Sequence, residues 1–211
     1  GDSGDTDVIF LSGIDQKHQG LEVELTSQIH PMFRLDGAVS FGNWQFDGDA
    51  SGNYQENEYD ENGNVVGLMT TDYQYALDDL FVGDMPQTSM ALGMTLNPIA
   101  GLSVQGLFNY YDKNYSDWSP DAREVDSDGA ADREQVWMAP SYNKLDLHVN
   151  YDLPISIAGT KMTAFAHVFN ALDAVYIQDA YDNSSYNSFN DDGTHDASSA
   201  EVFFGIPRYF N

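Results

Sequence analysis

From Gly20 to Ile29 the chain alternates: Leu21, Val23, Leu25 and Ile29 fall on one side of an extended backbone, and Glu22, Glu24, Thr26 and Gln28 on the other. A period of two is the mark of a strand with one apolar and one wetted face. After a turn at His30 and Pro31 it resumes, with Phe33, Leu35, Val39 and Phe41 opposed to Arg34, Asp36 and Ser40. In Thr88 to Leu96, the residues Met90, Leu92, Met94 and Leu96 alternate with Ser89, Ala91, Gly93 and Thr95. Leu102, Val104, Phe108 and Tyr110 oppose Ser103, Gln105 and Asn109, and Leu145, Leu147, Val149 and Tyr151 oppose Lys144, Asp146, His148 and Asn150. With Val8 to Ser12, Met162 to Val168 and Ala200 to Phe210 added, the alternation predicts about eight strands and an all-β fold.

The connections between these strands change the picture. Those at His30 to Met32, Asn97 to Gly101 and Leu153 to Thr160 are short, whereas Asp47 to Pro86, Asp112 to Pro140 and Asp173 to Ser199 are long, and the two kinds alternate. A soluble sandwich also alternates along its strands, but loops beyond about 12 to 15 residues are uncommon in compact soluble domains. Outer-membrane barrels combine short periplasmic turns with long extracellular loops. The pattern therefore points to an antiparallel transmembrane β-barrel with long acidic extracellular loops and a periplasmic C-terminus. No stretch approaches the roughly 20 apolar residues of a transmembrane helix, so insertion would use strands. Thirteen Tyr, twelve Phe and three Trp suit the aromatic girdles of such a barrel. Glu22, Glu24, Asp146, His148 and His167 then line a wet lumen.

Charge narrows the partners. The 211 residues hold 34 Asp plus Glu against 8 Lys plus Arg, a formal charge of −26, which argues against nucleic acid or an anionic lipid surface as partner. Acids cluster between Phe46 and Asp72, where there is no Lys or Arg. Within that run Asp47, Asp49, Ser51, Asn53 and Glu58 match a calcium loop, with oxygen donors at positions 1, 3, 5 and 12 and Gly52 at position 6. Calcium is thus the one cofactor the sequence suggests, set against the plainer reading of a solvated acidic surface. Asp126-Ser127-Asp128-Gly129 and Asp191-Asp192-Gly193 are weaker versions of the same run. The histidines lack H-x-H or H-x-x-x-H spacing, so no transition-metal site is expected from the sequence. No nucleophile elbow, phosphate loop or zinc-protease motif is present, and the reading is of a non-enzyme. Loop aromatics Tyr54, Trp118, Tyr181 and Tyr186 are the candidates for stacking on a bound solute.

Several runs carry a family resemblance: H-Q-G-L-E-V-E-L at His18 to Leu25, F-G-N-W at Phe41 to Trp44, V-G-D-M-P-Q at Val82 to Gln87, P-S-Y-N-K-L-D-L-H at Pro140 to His148, H-V-F-N-A-L-D at His167 to Asp173, and A-E-V-F-F-G-I-P-R-Y-F-N at Ala200 to Asn211. In order and spacing they resemble the last third of a TonB-dependent outer-membrane receptor of the Bacteroidetes type. The resemblance implies that residues 1–211 are the C-terminal segment of a barrel of about 22 strands, closed by an N-terminal plug. That family imports a scarce nutrient, such as a siderophore, vitamin, glycan or peptide, across the cell outer membrane. Its partners would be outer-membrane lipid, the plug and N-terminal strands, TonB acting through the plug, and the nutrient itself. The chain departs from the family in carrying no plug or TonB box and in stopping just after Phe210. Gly1 to Asp7 lacks the basic and apolar regions of an export signal, so a preceding segment is expected. Asn170, Asp173, Gly20 and Gly42 read as scaffold within these runs. The alternative is an autonomous barrel of about eight strands with a structural or adhesive role and possible calcium binding.

Overall fold

The protein's structure, a computed structural model, describes residues 10–12, 14–157, 159–181 and 201–211. Its strands are β1 (Phe10–Ser12), β2 (Gln16–His30), β3 (Phe33–Phe46), β4 (Ala50–Tyr59), β5 (Val65–Tyr75), β6 (Thr88–Leu96), β7 (Leu102–Asp112), β8 (Asn114–Tyr115), β9 (Met138–Ala139), β10 (Tyr142–Ile157), β11 (Thr160–Phe169), β12 (Ile177–Ala180), β13 (Val202–Phe204) and β14 (Tyr209–Phe210). One helical turn, α1 (Pro120–Arg123), lies between β8 and β9.

Seven strands form one antiparallel sheet in the order β14-β11-β10-β7-β6-β3-β2, a meander in which each sheet strand pairs with the next along the chain. Its register carries the alternation across the ladders. Leu21 faces Phe41, Val39 faces Met90, Leu92 faces Phe108, Phe108 faces Leu145 and Val149 faces Ala166. On the other side Glu22 faces Ser40, Ser89 faces Tyr111, Asn109 faces Lys144 and His148 faces His167. One side of the sheet is therefore an apolar surface spanning several strands, and the other is polar. Nothing among the described residues covers the apolar side: Leu21, Leu25 and Ile29 are each about 60% exposed.

The buried core lies at one end of the sheet, where the long connections are. Phe46, Ala50, Tyr75, Leu77, Leu80, Tyr115 and Val136 form its main cluster, with Leu11, Tyr73, Phe81, Val82 and Trp118 packed against it. A smaller cluster joins Trp137, Ala139 and Ala180 to Ile177 and Val202. Arg123, fully buried, donates to the carbonyls of Asp132 and Glu134 and lies 3.7 Å from the Asp132 carboxylate. Backbone in such long connections must satisfy its own polar groups. It does so by forming the β1-β4-β5 sheet and the β8-β9 and β12-β13 ladders. The result is a folded cap.

Four expectations are corrected. The strand expected at Val8 to Ser12 is described only from Phe10 and joins β4 in the cap, so the main sheet has seven strands, not about eight. The strand expected over Ala200 to Phe210 splits into β13 in the cap and β14 in the sheet. The loop expected at Leu153 to Thr160 is mostly strand, because β10 runs on to Ile157 past a register shift between Asp152 and Ser156. The acidic run from Phe46 to Asp72 is largely the β4-β5 hairpin, turned at Asp60, whose carboxylate accepts the amides of Asn62 and Asn64. Nor does the sheet close on itself: β2 and β14 are its edges and do not pair with each other. An autonomous eight-stranded barrel would need that pairing.

Candidate functional site

The five residues of the calcium-loop match do not converge. Ser51, Asn53 and Glu58 lie along β4, where a rise of about 3.3 Å per residue sets Ser51 and Glu58 roughly 23 Å apart. Regular pairing from Ser51 to Glu58 also turns Glu58 to the opposite face from Ser51 and Asn53. Asp49 is engaged elsewhere. Its Oδ1 accepts the Leu77 and Asp78 amides, and Arg133 grips both carboxylate oxygens at 3.1 and 2.7 Å. That arginine, chiefly, holds the Asp49 carboxyl below the ordinary carboxylate range. Among the described residues no three His, Cys, Asp or Glu side chains are gathered to hold a metal. Asp126 to Ala130 forms a tight turn, and Asp191 to Gly193 falls outside the described residues. The sequence spacing fits because an extended hairpin and a coiled metal loop have the same composition when both are acidic, amide-rich and glycine-bearing.

The candidate stacking aromatics that the structure describes have separate settings. Trp118 packs into the cap core, edge-on to Phe46 at 6.5 Å and tilted on Tyr75 at 5.8 Å. Tyr54 is half-buried on β4, Tyr181 is exposed beyond the end of β12, and Tyr186 lies outside the described residues. Tyr181 is bridged to Asp117, next to Trp118, but the three described aromatics do not line the cleft beneath the cap.

A different aromatic group does. On the polar side of the sheet, beneath the cap, Tyr111 of β7 and Tyr142 of β10 are directly paired, with ring centroids 5.0 Å apart. Tyr142 stacks in turn on Tyr176 at 4.4 Å. Tyr176 lies against the backbone at Gly205, where a Cβ would collide with its ring. These rings form one wall of an open cleft of about 530 Å³, with Asp84, Pro86, Asn114, Lys144, Gln178 and Asp179 around it. Lys144 holds its ammonium 5.7 Å from the centre of the Tyr176 ring, a cation–π contact. Buried Asn114 donates to the Gln178 carbonyl at 3.0 Å, while its Oδ1 has no hydrogen-bond partner. Burial, with the charges of Asp117 and Asp179 nearby, pushes the Asp84 carboxyl up. Burial does the same to Asp117. The cleft thus offers aromatic rings and carboxyl groups that gain from a hydroxyl or cation. Sequence inspection misses it because its parts come from four separate segments; the only local signal is the polar-side placement of Tyr111 and Tyr142.

The polar side carries the expected residues: Glu22, Glu24, Asp146, His148 and His167 all fall on it by register. It also carries Phe165 and Phe169, at alternate positions to His167 on β11, and Phe169 stacks on Tyr209 at 4.5 Å.

Comparison with protein-family models and with curated proteins returns no match. Among solved structures, the chain is similar to the ferric-catecholate import receptor Fiu of E. coli K12 in its closed form. The identity is 14% and the TM-score 0.39, over 92% of this chain and 27% of that receptor. The chain thus spans about a quarter of that receptor's length.

Proposed function

We propose that this chain is a stretch of the barrel wall of an outer-membrane TonB-dependent receptor, an active importer of a scarce nutrient. The single observation that carries the reading is a two-sided, one-layer sheet whose apolar side is uncovered and whose polar side is charged. Water does not favour so large an uncovered apolar face, whereas a bilayer on one side and an aqueous lumen on the other suit both. The short connections of the meander would be periplasmic, the cap extracellular, and the Tyr111-Tyr142-Tyr176 cleft would face the solute path. Edge strand β2, 15 residues long and with no described strand on its outer edge, is where further wall would join. The plug would rest against Glu22, Glu24 and their neighbours. The Bacteroidetes-type assignment rests on the motif runs alone. The cleft suits a solute with ring faces bearing hydroxyls or positive charge, a class that includes glycans and many siderophores.

Fractionation of the producing cells tests the reading. The protein should sediment with the outer membrane, resist carbonate extraction and need detergent to dissolve, and its deletion should abolish TonB-dependent growth on one defined nutrient. A protein freely soluble without detergent would overturn it.

A further inference from the structure

His148 and His167 lie nineteen positions apart in sequence, yet the β10-β11 ladder sets them directly opposite each other on the polar side, with Nδ1 to Nδ1 at 2.8 Å. That contact needs one ring to donate and the other to accept, so the pair shares one proton at this point. Moving that proton to Nε2 of the donor ring, without releasing it, leaves both Nδ1 lone pairs free, and a tilt of the two rings would then aim them at one ion beside the N–N line. Two nitrogens binding one ion at about 2.0 to 2.1 Å stand roughly 3 Å apart. The existing separation is close to that bite, and the ring planes, 61° apart, are not stacked. Phe165 lies against the His167 ring at 5.3 Å and Phe169 meets the His148 ring edge-on at 5.4 Å, which limits how far either imidazole swings.

We propose that His148 and His167 form a two-imidazole chelate for a divalent transition-metal ion, with the remaining positions open to water or to a solute. Imidazole suits copper, nickel and zinc, and the affinity order places copper(II) first. The chain's charge of −26 favours cations near this surface. The other described histidines are placed differently. His18 stacks on Trp44 and bonds Gln16, and His30 accepts the Met32 amide.

The test is titration of the purified full chain in detergent with copper(II) and with zinc(II) at pH 7.5, followed by calorimetry and by electron paramagnetic resonance of the copper form. One equivalent should bind, copper more tightly than zinc, with nitrogen coupling from two imidazoles, and His148→Ala or His167→Ala should each weaken it at least tenfold while His30→Ala does not. Should an alanine variant misfold by circular dichroism, acylation of the wild-type histidines read by mass spectrometry answers instead: metal should protect His148 and His167 and leave His30 reactive. Absence of binding, unchanged binding in the double variant, or equal protection of all histidines would overturn the proposal.

Discussion

Asn170 shows what a single residue of the resemblance runs does. It is buried with φ at 48°, a left-handed conformation that asparagine tolerates better than most side chains. Its Oδ1 accepts the Ala174 amide at 3.0 Å, its Nδ2 donates to the carbonyls of Ala174 and Ile206, and its own amide donates to Asp146. Three residues on, Asp173 accepts the Arg208 amide at 3.1 Å and faces its guanidinium at 3.4 Å. H-V-F-N-A-L-D is thereby fastened to the I-P-R segment that precedes β14. Other runs meet in the same way. Gly20 pairs with Gly42, and the Trp44 indole fills the space where a Gly42 Cβ would sit, 2.9 Å away. Gln87 clasps the Trp44 backbone through both its amide atoms. Asn170→Ala takes the partner from the part-buried Ala174 amide and from the Ala174 and Ile206 carbonyls, and should cost about 1 to 3 kcal/mol in denaturant unfolding. Asn170→Gly eases the backbone but loses the same bonds, so it should lie between alanine and wild type.

At the scale of elements, the cap and the sheet were legible in the sequence to different degrees. Strands such as β2, β6 and β7 announce themselves because one face meets an apolar medium and the other water, and that contrast writes a period of two. The β4-β5 hairpin carries no such contrast along Tyr54 to Tyr59, and only Asn62-Gly63 at its turn marks it. The cap core is harder still, since Phe46, Leu77 and Val136 reach it from connections far apart in sequence. The cap has its own pH dependence. The carboxyls of Asp84 and Asp117 are raised in the folded state by burial and by the charge of Asp179, so the folded cap binds protons more tightly than the unfolded chain. Its stability must then fall as pH rises from the ordinary carboxylate value of 3.8 through the raised ones. The lowered carboxyl of Asp49 acts in the opposite sense, its contribution being lost only as pH falls below 3.8. Amide exchange in residues 76–87 should accordingly slow as pH is lowered from neutrality toward 3.8, after correction for intrinsic rates, and Asp84→Asn should slow it at neutral pH and reduce the difference.

For the whole molecule, the question is what covers the apolar side of the sheet. Strands β6 and β7, at 9 and 11 residues, match the length of a tilted strand crossing a bilayer. Neighbouring residues on one such strand ought then to report different surroundings. Leu92 points to the apolar side opposite Phe108, and Ala91 points to the polar side opposite Asn109. A lipid-facing Leu92→Arg change should cost about 2 to 4 kcal/mol near the bilayer midplane, where the same change at Ala91 is borne by the lumen. A second packed sheet would penalise Leu92→Arg too, so the loss of stability does not by itself identify lipid. Fluorescence makes the distinction. With the protein reconstituted in vesicles, Leu92→Trp should add emission that bromine-labelled acyl chains quench and aqueous iodide does not reach. Ala91→Trp should add emission insensitive to the brominated chains. Equal lipid quenching at both positions, or none at Leu92, would mean that protein and not bilayer lies over this face, and the barrel-wall reading would fall with it.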